Sequence, residues 1–249
     1  MINLSVNVNK IATVRNSRGG TVPSVVEAAG VCVDVGVHGI TVHPRADARH
    51  ITFADVHELA SLLASYRGRV EYNIEGDPRP DLLALVRDVR PDQCTLVPVA
   101  PGEITSQAGW PASTPTGELR GIVQDLQSHR VRISMFVDPE LAAIDWAADL
   151  GADRVELYTE PFARAFEAGG AALESSIAKY TEAASHAHRR GLGVNAGHDL
   201  DSHNLPTFRR IPYIDEVSIG HALISRAIFA GLAPTVREYL EVLGRSSTA

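Results

Sequence analysis

The sequence predicts an α/β protein of the (β/α)8-barrel class with extra helices, spanning residues 1–249 as a single domain. Three observations carry that reading. Short apolar runs alternate with amphipathic stretches along the whole chain. Four of those runs end on a group able to move a proton: Gly39–Val42 leads into His43, Val70 into Glu71, Gly193–Gly197 into His198 and Val217–Gly220 into His221. The length of 249 residues matches one such barrel, for which about 250 is typical. In a barrel of parallel strands the C-terminal strand ends converge on one mouth, so residues distant in sequence face one another.

The elements follow in order. Ile2–Val8 reads as the first strand, and a polar loop is expected to run from it through Gly20. Thr21 as N-cap and Pro23 in the first turn open a helix to Val35. The second strand is Gly39–His43. Thr52 opens the next helix, with Asp55 three residues on as a capping box and Val56, Leu59, Leu62 and Leu63 as its apolar stripe. Strand Arg69–Ile74, helix Pro80–Val89 and strand Gln93–Val99 follow. Ala100–Thr116 is a long irregular stretch, expected to be functional; it, or the loop after the sixth strand, is expected to close over the mouth.

Gly117–His129 reads as a helix and Val131–Val137 as the fifth strand. Asp138-Pro139 is the expected N-cap and first residue of a helix to Leu150. Strand Arg154–Tyr158 precedes a segment too long for one barrel helix, which Gly169-Gly170 divides into a short helix and a long one from about Ala172 to Arg190. Leu192–Ala196 and Glu216–Ile219 complete the barrel, and the stretch from His221 is expected to break near Gly231 and Pro234. An open doubly wound sheet is the competing architecture, but no Gly-x-Gly-x-x-Gly turn follows the first strand.

Composition narrows the function. A hydrophobic fraction of 45% supplies a full core, and a net charge of -7 argues against a nucleic-acid partner. Phosphorylated substrates remain compatible, since a few Arg, His and backbone N–H groups suffice for a phosphate. Cys32 and Cys94 lack metal or disulfide spacing and read as core residues in a reducing compartment. The N-terminus lacks the pattern of a signal peptide, and no apolar run is long enough to span a membrane, so a cytoplasmic location is expected.

Each candidate residue has a bland alternative. His43 opens a loop dense in cations, His43-Pro44-Arg45-Ala46-Asp47-Ala48-Arg49-His50, and reads as a proton-transfer group beside an anion site. The alternative is a solvated loop whose charges pair internally. Glu71 lies on a strand face with Asn73, and Glu75 shares that face further towards the loop as the competing carboxylate. Glu156 raises the same question; either carboxylate is a working acid–base group or an internal salt bridge. His198 and Gly220-His221 sit where barrels often build a phosphate site from backbone N–H groups and a helix N-terminus. A metal site is disfavoured because no His-x-His pair ends a strand and His198 and His203 miss a shared helical face. No Gly-x-Ser-x-Gly elbow is present for nucleophilic catalysis.

At these residues the chain closely resembles the pyridoxine 5′-phosphate synthase family. The matching segments are Val6–Thr13, Arg15–Gly19, His38–Arg45, Arg49–Ile51, Asn73–Gly76, Leu96–Pro98, Val194–His198 and Ser218–Ala222, in order over almost the whole chain. The resemblance implies a barrel with additional helices, assembled as a homo-oligomer, often an octamer, that needs no metal or organic cofactor. It implies condensation of 1-deoxy-D-xylulose 5-phosphate with 3-amino-2-oxopropyl phosphate to pyridoxine 5′-phosphate, inorganic phosphate and water. It places the family's two general bases on His43 and Glu71, its general acid on His198 and a transition-state carboxylate on Glu156. The amino-ketone phosphate would contact Asn7, Arg18, Asp199, Gly220 and His221; the deoxyxylulose phosphate would contact Asn9, Lys10, Arg45, His50 and Thr105.

The chain departs from the family pattern in places. Many members carry Asp-His where this chain has Asn9-Lys10, Gly where it has Asp199, and Glu where it has Val99; Ile104–Trp110 replaces a Thr-Thr-Glu-Gly-Gly stretch. With the acid–base set kept, these mark a variant branch. Two further readings stand beside the synthase: a related barrel enzyme acting on other phosphorylated keto-substrates, and a non-catalytic barrel that binds a B6 phosphate.

Overall fold

A computed structural model describes residues 1–98 and 107–244. Eight parallel strands close into a barrel in sequence order: β1 (Asn3–Asn7), β2 (Gly39–Val42), β3 (Glu71–Gly76), β4 (Gln93–Leu96), β5 (Arg132–Val137), β6 (Arg154–Tyr158), β7 (Gly193–Gly197) and β8 (Glu216–Ile219), with β8 paired back onto β1. Alternation explains the closure. Leu4, Val6, Ile40, Val42, Ile74, Leu96, Ile133, Val155, Leu157 and Val217 are fully buried on one face of their strands, in one core with the apolar stripes of the helices.

The opposite face is buried as well, yet polar. Ser5 and Thr41 share a hydrogen bond of 2.7 Å, Asn73 Nδ2 donates to Thr41 at 3.3 Å, and the Thr95 hydroxyl donates to Asn73 Oδ1 at 3.1 Å. These bonds run from strand to strand around the barrel interior and satisfy groups that would otherwise be costly to bury.

The helices among the described residues are α1 (Asn9–Asn16), α2 (Val25–Val35), α3 (Phe53–Leu63), α4 (Pro80–Val89), α5 (Thr116–Ser128), α6 (Leu141–Leu150), α7 (Glu160–Ala168), α8 (Gly170–Arg189), α9 (Leu205–Phe208), α10 (His221–Ala230) and α11 (Leu232–Val242). Thr52 and Asp55 form the expected capping box on α3. Gly169 and Gly231 take positive φ at the joints between α7 and α8 and between α10 and α11, whereas Pro234 sits inside the first turn of α11.

Four expectations need correction. The polar loop after β1 is largely helix α1, whose one fully buried residue, Ala12, leaves no apolar stripe to read. Polar contacts hold it instead: Arg15 Nη2 donates to Asp55 at 2.9 Å, and Asn16 donates to the His50 carbonyl at 2.8 Å. Helix α2 is capped by Ser24, which accepts from the Glu27 N–H at 3.2 Å, not by Thr21. Asp138 does not cap α6, which starts at Leu141 after Glu140, because the Asp138 carboxylate is taken by the Gly109 N–H. After β6 there is no open loop, since α7 begins two residues beyond Tyr158.

Residues 107–115 are anchored rather than loose. Trp110 donates its backbone N–H to Phe136 and its indole N–H to Leu96, each at 2.9 Å, and the Trp146 indole donates to the Thr114 carbonyl at 2.8 Å. Residues 99–106, which include the first part of the expected closing loop, lie outside the described residues.

Candidate active site

The C-terminal ends of the strands surround a cavity of about 440 Å³. Its floor carries two acid–base pairs from opposite sides. On one side His43, directly after β2, places Nδ1 3.9 Å from Glu75 Oε2 near the end of β3. Asn7 Nδ2 donates to the same Glu75 oxygen at 3.4 Å, and Asn9 Oδ1 accepts the His43 N–H at 2.9 Å, so the end of β1 and the start of α1 fix this pair. Burial, with the charges of Arg45, His50 and Arg79, pushes the His43 imidazole well below its ordinary range. Burial, with Glu156 and Glu216 beneath, pushes the Glu75 carboxyl well above its own. Burial thus favours the neutral form of both facing groups, the imidazole and the carboxyl.

On the other side, Glu156 of β6 lies below His198. Burial lifts its carboxyl to about 7, although the His198 charge and the nearby Thr95 hydroxyl oppose the rise. A Cβ on Gly197 would sit 2.4 Å from Glu156 Oε1, so only glycine lets the carboxylate lie across the end of β7. His43 Nε2 and Glu156 Oε2 are buried and make no hydrogen bond among the described residues. Both residues line the cavity.

Each end of the cavity is suited to an anion. Lys10, Arg45, Arg49 and His50 gather at the β1–β2 end. The His50 Nδ1 accepts the Ile51 N–H at 2.9 Å, so its proton sits on Nε2 and can be donated. Burial and the nearby Arg45, Lys10 and Arg49 charges lower His50 to about 4, which keeps it a neutral donor. At the β8 end, Gly220 precedes α10 without any side-chain cap, leaving the first N–H groups of that helix directed at the cavity. A Cβ on Gly220 would lie 3.1 Å from Asn7 Cβ, a close approach that brings α10 against β1.

Of the predicted site residues, His43, Glu156, His198, Asn7, Asn9, Lys10, Arg45, His50, Asp199, Gly220 and His221 all line this cavity. Glu71 does not, and that expectation is corrected. It begins β3, four residues below Glu75, or about 13 Å at the rise of a strand. There it pairs with Arg132 at the start of β5, at the opposite end of the barrel. The mouth carboxylate of β3 is Glu75. Arg18 is also absent: it is exposed in the turn after α1 and does not line the cavity of its own chain. Thr105 lies outside the described residues. Phe136 and Tyr158, whose rings lie 6.3 and 5.2 Å from the His198 ring, gave no sequence signal beyond being strand aromatics.

Fold and site together define a (β/α)8 barrel of the acid–base, phosphate-handling kind. Solved structures agree on the fold: 3-hexulose-6-phosphate synthase from Salmonella typhimurium matches with a TM-score of 0.65 at 14% identity, covering 97% of this chain and 98% of that one. Phosphoribosylanthranilate isomerase from Thermotoga maritima matches at 0.59 and 11%, covering 98% of each.

The chain belongs to the pyridoxal phosphate biosynthesis protein PdxJ family, whose model matches residues 4–245. The pyridoxine 5′-phosphate synthase of Bacteroides fragilis is 50% identical over 98% of this chain and all (100%) of its own length. That of Porphyromonas gingivalis is 48% identical over 98% of this chain and 99% of its own.

Proposed function

We propose that the protein is a pyridoxine 5′-phosphate synthase, condensing 1-deoxy-D-xylulose 5-phosphate with 3-amino-2-oxopropyl phosphate. The observation that carries the reading is one cavity with an anion-binding end on each side and two acid–base pairs between them. Anchoring both phosphates turns a bimolecular encounter into a reaction within one complex. The amine and the ketone must form a Schiff base, one phosphate must leave, and an aldol-type closure must aromatise the ring. Every step moves a proton, so acid–base groups on two sides of the intermediate are required.

The roles follow from protonation. Neutral His43 takes a proton from carbon or nitrogen, and Glu75, not Glu71, exchanges it with the imidazole. His198 gives a proton to a leaving oxygen, and Glu156 beneath it supports the imidazolium before the proton leaves. The deoxyxylulose phosphate belongs at Lys10, Arg45 and His50 with Asn9; the amino-ketone phosphate belongs at Gly220-His221 with Asn7. The enzyme acts in the cytoplasm as a homo-oligomer, which light scattering on the purified chain checks.

The decisive test supplies both substrates without added metal and follows pyridoxine 5′-phosphate by absorbance and mass. Stoichiometric pyridoxine 5′-phosphate and inorganic phosphate are expected. Folded protein that binds both substrates and forms neither product would overturn the reading and point to Asn9, Lys10 and Asp199 as marks of another keto-phosphate pair.

A further inference from the structure

We propose that Asp199 is a positioning residue for His198: its carboxylate accepts the Nδ1 proton of the imidazole and turns Nε2 towards the cavity. The inference rests on the reading of His198 as the acid of the reaction. Asp199 Oδ2 lies 3.4 Å from His198 Nδ1, and both residues line the cavity.

The backbone is bent to achieve this. His198 and Asp199 take consecutive positive φ values of 92° and 56°, a region costly for side chains larger than glycine. Neighbouring bonds hold the bend. Thr159 donates its N–H and its hydroxyl to the Gly197 carbonyl at 3.0 and 2.7 Å, and its hydroxyl also reaches the His198 carbonyl. On the far side Asn204 donates to the Asp199 carbonyl at 3.0 Å. With the main chain pinned at both ends, the imidazole and the carboxylate project to the same side.

The other groups around His198 cannot do the same work. Tyr158 meets its ring edge-on at 5.2 Å and Phe136 at 6.3 Å, and Phe136 has no acceptor to offer. Glu156 acts on the ring from below through its charge, and His221 of α10 acts on the Asp199 side. Asp199 stays ionised, because its hydrogen bond to His198, helped by the charges of His198 and His221, holds its carboxyl below the ordinary range. A carboxylate on Nδ1 has two effects: it selects the Nδ1–H tautomer and it favours the imidazolium. When the imidazolium gives up its Nε2 proton to a leaving oxygen, the neutral ring left behind still has its Nδ1–H bonded to Asp199.

The test uses the full chain labelled with 15N in its histidines, free of substrate, and compares wild type with Asp199→Asn and Asp199→Gly. In wild type the neutral His198 ring is expected as the Nδ1–H tautomer. In both variants that preference should be lost, with the two neutral tautomers populated together. With Nε2 no longer held towards the cavity, kcat should fall about tenfold in both variants while KM changes less. Asp199→Gly also relieves the backbone at positive φ, so its melting temperature should not fall, which separates this effect from misfolding. An Nε2–H tautomer in wild type, or one tautomer shared by all three proteins, would overturn the proposal. Because the resonance reads the imidazole without turnover, a failure of the synthase reading would leave this outcome intact and separately visible.

Discussion

Replacing Glu75 by Gln tests the assignment of the mouth carboxylate most sharply. Glutamine keeps the shape of the side chain and can still accept from Asn7, which now meets Glu75 Oε2 at 3.4 Å. It cannot hold or pass a proton. General acid–base groups contribute about 10²–10⁴-fold, or roughly 3–5 kcal/mol of barrier, so kcat should fall within that range. Stability should move the other way. A carboxyl whose folded-state titration is raised destabilises the fold above its unfolded value near 4.5. Removing it should leave the variant at least as stable as wild type at pH 7.5 and no more stable near pH 4. Glu71→Gln is the control. It breaks a partly exposed ion pair with Arg132 and should cost on the order of 1 kcal/mol of stability, with kcat within about threefold of wild type. Steady-state kinetics with both substrates saturating, beside urea unfolding at the two pH values, gives every quantity. A kcat for Glu75→Gln within tenfold of wild type, or an equal loss for Glu71→Gln, would refute the reasoning.

Two further outcomes follow from the same geometry. In Gly197→Ala the new methyl would meet Glu156 Oε1 at 2.4 Å, so the carboxylate must leave its place below His198; kcat should drop at least about tenfold with a smaller change in KM, and an unchanged kcat would count against Glu156. Glu216, buried at the base of β8 with Glu71 and Glu156 nearby, is raised to about 8 despite Arg154 and Arg132. Its charge therefore costs stability increasingly from pH 4.5 to 8, so the stability of Glu216→Gln relative to wild type should improve over that window and level off above it. Equal differences at pH 5 and pH 8 in urea unfolding would exclude this.

The strands were readable because each apolar run is short and bounded, and because proton-carrying residues follow several of them. The barrel interior was not readable. Ser5, Thr41, Asn73, Thr95 and Ser134 look in sequence like the solvent face of half-exposed strands, and only ring closure buries them. The exchange of Glu71 for Glu75 came from a boundary: ending the third strand at Ile74 left Glu75 in a loop and Glu71 mid-strand. The observed strand runs from Glu71 to Gly76, which puts Glu71 at the base and Glu75 at the mouth. Helix α1 carries no helical signal in sequence because Arg15–Asp55 and Asn16–His50 contacts hold it in place of an apolar face. Arg18, carried over from the family pattern, lies in the exposed turn that ends this helix.

The central claim is that His43 and His198 move protons from opposite sides of one doubly anchored intermediate. The direct measurement is kcat and KM for both substrates in His43→Ala and His198→Ala, with pyridoxine 5′-phosphate as the readout. The account predicts that kcat falls at least about 100-fold in each variant, with both KM values within a few-fold of wild type. Retained kcat with a raised KM in either variant would make that histidine a binding group and contradict the two-sided mechanism.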